Sequence, residues 1–139
     1  MKLLLDANVV IHALEVGSPQ HRLALRIVKQ APIDGYETHV SELLYLELLS
    51  KPGLHDQQVA HLYTTASNNL SVNWPITSAV LLKAAELRRH HASLKTPDAI
   101  HLATSLLRKC DYFVTDDKQL LDLILAGLPI ISIRQAANL

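Results

Sequence analysis

The residues of this sequence that can do chemistry are acids at the edges of apolar segments. Asp6 ends the run Lys2-Leu3-Leu4-Leu5 and precedes Ala7-Asn8, Asp116 and Asp117 follow Tyr112 to Thr115, and Asp98 stands in Thr96-Pro97-Asp98. Glu47 lies inside Leu43-Leu44-Tyr45-Leu46-Glu47-Leu48-Leu49. Each has an ordinary explanation by itself: a first-turn acid is favoured by the helix dipole, turn acids are common after strands, and a lone helical Glu usually points to solvent. Glu42 is fully explained this way, as a first-turn acid on a different side of the helix from Glu47. The combination is harder to explain. Carboxylates brought to one rim repel each other unless a hard divalent cation is shared, so the pattern predicts Mg²⁺ or Mn²⁺ among oxygen ligands and retained waters.

The elements that must position these acids follow from the hydrophobic pattern. Leu3-Leu4-Leu5 reads as a strand buried on both faces, with Asp6 at its carboxyl end, where open parallel sheets keep their binding crevices. Helices are expected over Ala7 to Leu14, Gln20 to Gln30, Ser41 to about Ser50, Asp56 to Ala66, Thr77 to His91, Thr96 to Lys109 and Leu120 to Leu125. Strands are expected over Tyr36 to Val40, Leu70 to Val72, Tyr112 to Thr115 and Ile130 to Ile133. Ser41 and Thr96 are expected as N-caps, the second followed by proline at the first helical position. Strands alternating with helices imply an α/β fold, a parallel sheet with helices on both faces, whose strand ends and helix starts share one rim.

Length and composition limit what the motifs can mean. A chain of 139 residues forms one domain, 1–139, able to bury roughly two-thirds of its unfolded surface. It is 49% hydrophobic and 19% charged, which suits an aliphatic core and argues against disorder. Thirteen basic and thirteen acidic residues cancel, so no global field draws it to nucleic acid or membrane, and a polyanion must be held by local patches. Arg88, Arg89 and Lys95 form such a patch near Asp98, although basic residues at a helix carboxyl end are favoured by the dipole in any protein. Cys110 is alone, which excludes an internal disulfide and fits a cytoplasmic protein. No apolar run reaches membrane-spanning length. The eight histidines show no zinc spacing, and His101, one turn after Asp98, is expected to pack or hydrogen-bond.

The ordered set Leu5-Asp6-Ala7-Asn8, Ser41 with Glu47, Thr96-Pro97-Asp98-Ala99-Ile100-His101-Leu102-Ala103-Thr104 and Val114-Thr115-Asp116-Asp117 resembles PIN-domain proteins of the VapC-like kind. The resemblance spans the chain and implies a PIN-like three-layer α/β/α domain with a central parallel sheet. It also implies a metal-dependent endoribonuclease in which Asp6, Glu47, Asp98 and Asp117 are catalytic metal ligands. Asp116 stays open as a fifth ligand. Asn8 and Thr115 stand as residues that orient the acids or their waters, or as ordinary cap and turn residues. The resemblance further implies an RNA substrate, a small antitoxin protein as partner and a homodimer, for which Gln20 to Gln30 and Asp56 to Ala66 supply apolar surface. Two other readings compete. A haloacid dehalogenase-type phosphotransfer enzyme would need a second acid two residues after Asp6, where Asn8 stands. A non-catalytic interaction module that kept the fold would not need the intact acidic set.

Overall fold

The leucines of strand β1 (Lys2–Leu5) point alternately into two cores, and none has a solvent face. Leu3 and Leu5 join one core, Leu4 the other, as period-two alternation requires in the middle strand of a covered sheet. The computed structural model describes residues 1–139. Strands β2 (Glu37–Ser41), β3 (Val72–Trp74), β4 (Tyr112–Thr115) and β5 (Ile130–Ser132) complete a five-stranded sheet in the order β3-β2-β1-β4-β5, with every pairing parallel. The order reverses between β1 and β4, so a crevice opens at their carboxyl ends.

Helices α1 (Ala7–Leu14), α2 (His21–Gln30), α3 (Leu43–Leu49) and α8 (Ile133–Ala136) cover the face that carries Leu3, Leu5, Val40 and Val114. Helices α5 (Ser78–His90) and α6 (Thr96–Leu107) cover the face that carries Leu4 and Phe113. Helix α4 (Asp56–Asn68) gives that first core only Ala66, while α7 (Lys118–Leu121) is a single turn after β4. Tyr63 on α4 and Leu81 and Leu82 on α5 are exposed. No helix is long and apolar enough to cross a membrane.

Several boundaries differ from the sequence reading. Ser41 ends β2 and Glu42 takes the N-cap position of α3, because Ser41 is still paired with Trp74 in the sheet; its hydroxyl nevertheless accepts from the Leu43 N–H. Lys95 is the N-cap of α6, in extended backbone, and its carbonyl accepts from the Ala99 N–H, which makes Thr96 the first helical residue. The same helix stops at Leu107, and Lys109 takes a left-handed conformation, φ 55°, just beyond its end. The third strand lies two residues later than expected, at Val72–Trp74, since Leu70 turns into the core and Ser71 exchanges hydrogen bonds with Thr38. The helix expected over Leu120 to Leu125 is instead α7, begun earlier by the cap at Asp117, followed by an isolated Leu125–Leu128 bridge. Ile133 leaves β5 for α8, which a reciprocal Ser132–Gln135 capping box starts.

The sheet's stability rests on side chains such as Phe113, fully buried between β4 and the α5–α6 layer. Phe113→Ala should lower the unfolding free energy by about 3–5 kcal/mol in urea titration. Ile124→Ala, at a position 89% exposed, should stay within about 0.5 kcal/mol of the wild type.

Candidate functional site

Asp6 continues β1 by one residue, and its N–H donates to the Val114 carbonyl at 2.9 Å, which sets it beside Thr115 at the end of β4. The side chain is buried and answered by donors on several sides. As N-cap of α1 it accepts from the Ala7 N–H on Oδ1 at 2.8 Å. Its Oδ2 accepts from Thr115 Oγ1 at 2.8 Å and from Asn8 Nδ2 at 3.2 Å. Burial pushes the Asp6 carboxyl up; His101, Thr115 and Ala7 oppose that, and the Glu47 charge adds to it.

Thr115 and Asn8 tie the two strand ends together. Thr115 Oγ1 also accepts from the Asp117 N–H at 3.0 Å and from Asn8 Nδ2 at 3.3 Å. Asn8 Oδ1 accepts from the Asp116 N–H at 3.1 Å. The backbone after β4 is thereby held against the start of α1. Asp117 then caps α7, accepting from the Gln119 N–H at 2.9 Å.

The two neighbouring aspartates do different things. Asp116 turns to α1, where its Oδ2 meets His12 Nε2 at 2.8 Å, and the other ring nitrogen of His12 contacts the Ser18 hydroxyl. Asp117 acts on Asp98, as does Asp6. The Asp98 carboxyl, half-buried in the first turn of α6, is pushed up to about 6, first by burial and then by the charges of Asp6 and Asp117. Glu47 adds to that push and His101 opposes it. One carboxyl therefore feels three others from β1, β4 and α3, so the four acids share a single rim at the reversal of strand order.

Glu47 is held by a residue whose role the sequence reading left open. His101, buried in α6, brings Nε2 to 2.6 Å from Glu47 Oε1 and to 3.9 Å from Asp6 Oδ1. Burial alone would lower the imidazole's pKa, but the Glu47 hydrogen bond and the charges of Asp6, Glu47 and Asp98 raise it overall. A signal for this role was present in the sequence: a polar residue one helical turn after Asp98, among residues that otherwise pack.

The donor set is chemically suited to a hard divalent cation, since Asp6, Glu47, Asp98 and Asp117 all offer carboxylate oxygens on one rim. As the side chains stand, no group of three or more His, Cys, Asp or Glu residues converges closely enough to hold an ion. The carboxylates turn instead to hydrogen-bond donors: Asp6 to Thr115, Asn8 and Ala7, Asp117 to Gln119, and Glu47 to His101. Of the basic residues, Arg88 spends its Nε on the Leu94 carbonyl at 3.0 Å, closing the α5–α6 turn. Arg89 and Lys95 are exposed, and Lys95 adjoins the first turn of α6 where Asp98 sits.

Crowding at Asp98 carries a pH signature. Its carboxyl takes up a proton near 6 in the folded chain and near 3.8 in the unfolded one, so the folded state binds more protons between those values. The contribution of Asp98 to stability is therefore fully present below about pH 4 and lost as pH rises through about 6. In divalent-free buffer at pH 7, Asp98→Asn should have a higher urea midpoint than the wild type, and the gap should close toward about pH 4. A less stable Asp98→Asn at pH 7 would show that the carboxylate is favourably held and not repelled.

The sequence matches the PIN-domain family over residues 3–124. Among curated proteins none matches it. Several solved structures share the fold. A toxin–antitoxin complex from Klebsiella pneumoniae superposes with a TM-score of 0.66 at 22% identity, covering 91% of this chain and 94% of that one. VapBC2 from Rickettsia felis, bound to a DNA fragment from its promoter, gives 0.70 at 15% identity, covering 95% and 98%. VapC20 from Mycobacterium tuberculosis, a sarcin–ricin loop cleaving toxin, gives 0.66 at 16% identity, covering 88% and 96%. With the match spanning nearly all of the sheet and the acids on its rim, the chain belongs to the PIN-domain family.

Proposed function

We propose that the protein is an endoribonuclease of the VapC-like toxin type, cleaving RNA phosphodiester bonds with water in a reaction dependent on Mg²⁺ or Mn²⁺. The observation that carries this reading is the placement of Asp6, Glu47, Asp98 and Asp117 where strand order reverses: His101 Nε2 lies 2.6 Å from Glu47 and 3.9 Å from Asp6, Thr115 joins Asp6 to the Asp117 N–H, and Asp98 opens the helix that carries His101. The toxin and toxin–antitoxin descriptions of the structural neighbours support it. In this reading the four acids hold the cation, and Asp116, paired with His12, stands outside the ligand set. A bound divalent ion would lower the pKa of a coordinated water and stabilise charge on the scissile phosphate.

The chain's own residues do the rest. Asn8 and Thr115 fix the Asp6 carboxylate in one orientation, so a ligand at Oδ1 or Oδ2 meets a preset direction. Asp98, with its carboxyl near 6, can hold or release a proton close to neutral pH. Lys95, Arg89 and the exposed side of Arg88 supply local positive charge beside the acids for the RNA backbone. We further propose a homodimer, for which Tyr63, Leu81 and Leu82 offer exposed apolar surface, and inhibition in the cytoplasm by a small antitoxin protein. A haloacid dehalogenase-type reaction finds no support, because Asn8 hydrogen-bonds Asp6 and supplies no second carboxylate.

Asp6→Asn tests the reading. The amide keeps the shape and one acceptor oxygen, enough for the Ala7 N–H or for Thr115 but not for both, and loses the charge that would hold a cation. Purified wild type should cleave RNA from a panel of structured and single-stranded substrates with Mn²⁺, EDTA should stop it, and Asp6→Asn should fold yet lose about 100-fold or more of the rate. Cleavage that survives both EDTA and the substitution would contradict the mechanism.

A further inference from the structure

We propose that His101 is a positioning residue for the acid cluster: from inside the core, its Nε2 holds the Glu47 carboxylate of α3 on the rim that Asp6 and Asp98 share. The inference rests on the nuclease reading and adds a residue to it. His101 has no solvent exposure, whereas the Glu47 side chain is one-third exposed, so the fixed partner is the imidazole and the held partner is the acid. Glu47 makes no other hydrogen bond, and its helix neighbours Leu46, Leu48 and Leu49 cannot offer one from their side chains. Without His101, the carboxylate on this short helix would be free to swing to water.

The rest of the imidazole points to the same role. Its Nδ1 is buried without a hydrogen-bond partner, so the ring does not pin a loop or cap a helix, and its polar contacts all run through Nε2. Burying a polar ring costs free energy that an aliphatic side chain would not, and here the return on that cost is the 2.6 Å contact to Glu47. The argument holds for either charge state of the ring, because Nε2 carries the donated hydrogen in both. Helix α6 thus contributes twice: Asp98 stands on the rim directly, and His101, three residues later on the same side, sets an acid that belongs to another helix. Nε2 also lies 3.9 Å from Asp6 Oδ1, beyond hydrogen-bond reach, so the ring stands between two acids from different elements while bonding only Glu47.

Conservative replacements separate positioning from packing. The amide nitrogen of Gln reaches the place of Nε2, whereas that of Asn reaches only the place of Nδ1, and Leu fills the space without a donor. The full-length chain and its variants are titrated with Mn²⁺, with free Mn²⁺ followed by electron paramagnetic resonance, and the kcat and KM of RNA cleavage are measured in parallel. His101→Gln should bind Mn²⁺ within about threefold of the wild type, while His101→Asn and His101→Leu should bind it about tenfold or more weakly and lose kcat with little change in KM. In a Glu47→Gln background, His101→Asn should cause no further loss, because the two residues act through one contact. Wild-type Mn²⁺ affinity and kcat in His101→Asn, or losses that simply add to those of Glu47→Gln, overturn the proposal and leave the nuclease reading standing. A wild type that neither binds Mn²⁺ nor cleaves RNA overturns both. Should the core variants not fold, Glu47→Gln at the rim serves alone: it should move the ¹⁵N resonance of His101 Nε2, and an unmoved resonance overturns the contact.

Discussion

A buried carboxylate at the end of the central strand constrains everything around it. Asp6 is only 4% exposed, and an acid there is tolerable because donors from three residues answer its oxygens. Those donors come from α1 and from β4, so holding Asp6 also locks the start of α1 to the end of β4. That lock forms at the reversal of strand order, the one place in the sheet where the connections leaving two neighbouring strands, β1 to β2 and β4 to β5, go to opposite sides. The aliphatic cores on both faces supply the stability that permits a cluster of mutually repelling acids above them.

Repulsion at the rim is visible in Asp98 more than in any other group. Its carboxyl is raised by burial and by the charges of Asp6, Asp117 and Glu47, and only His101 works in the other direction among the causes. A cation bound on that rim, as proposed above, would offset this repulsion. The same condition explains why each acid turns to whatever donor lies nearest as the side chains stand. Asn8 and Thr115 limit how far Asp6 can move, and His101 does this for Glu47, whereas Asp117 is limited by its own helix cap.

Much of this was legible in the sequence, for identifiable reasons. Three successive leucines ended by an acid read as a strand covered on both sides, and the acid that follows such a strand falls at the rim. Thr96-Pro97 marked the start of α6 to within one residue, so Asp98 was placed in a first turn correctly even though Lys95 is the cap. The edge strand β3 was misplaced because its three residues are only partly buried and carry no alternation, and its position is set by pairing with β2. Helix α8 went unseen although Ser132 and Gln135 spell a capping box, since an apolar run through Ile133 reads equally well as a longer strand. The division of labour between Asp116 and Asp117 could not be read from adjacent identical residues: it depends on His12, which the chain supplies from 104 positions away. The Glu47–His101 contact spans 54 positions and is hidden in the same way.

The central claim, that four acids from β1, α3, α6 and the loop after β4 form one cation site, is tested most directly by anomalous diffraction from crystals soaked in Mn²⁺. The account predicts one or two manganese peaks within ligand distance, about 2.0–2.3 Å, of carboxylate oxygens of Asp6 and Asp98, with Asp117 or Glu47 turned toward the same ions. Manganese found at Asp116 and His12 instead, or no ordered manganese at the rim in crystals of a protein that cleaves RNA, would contradict it.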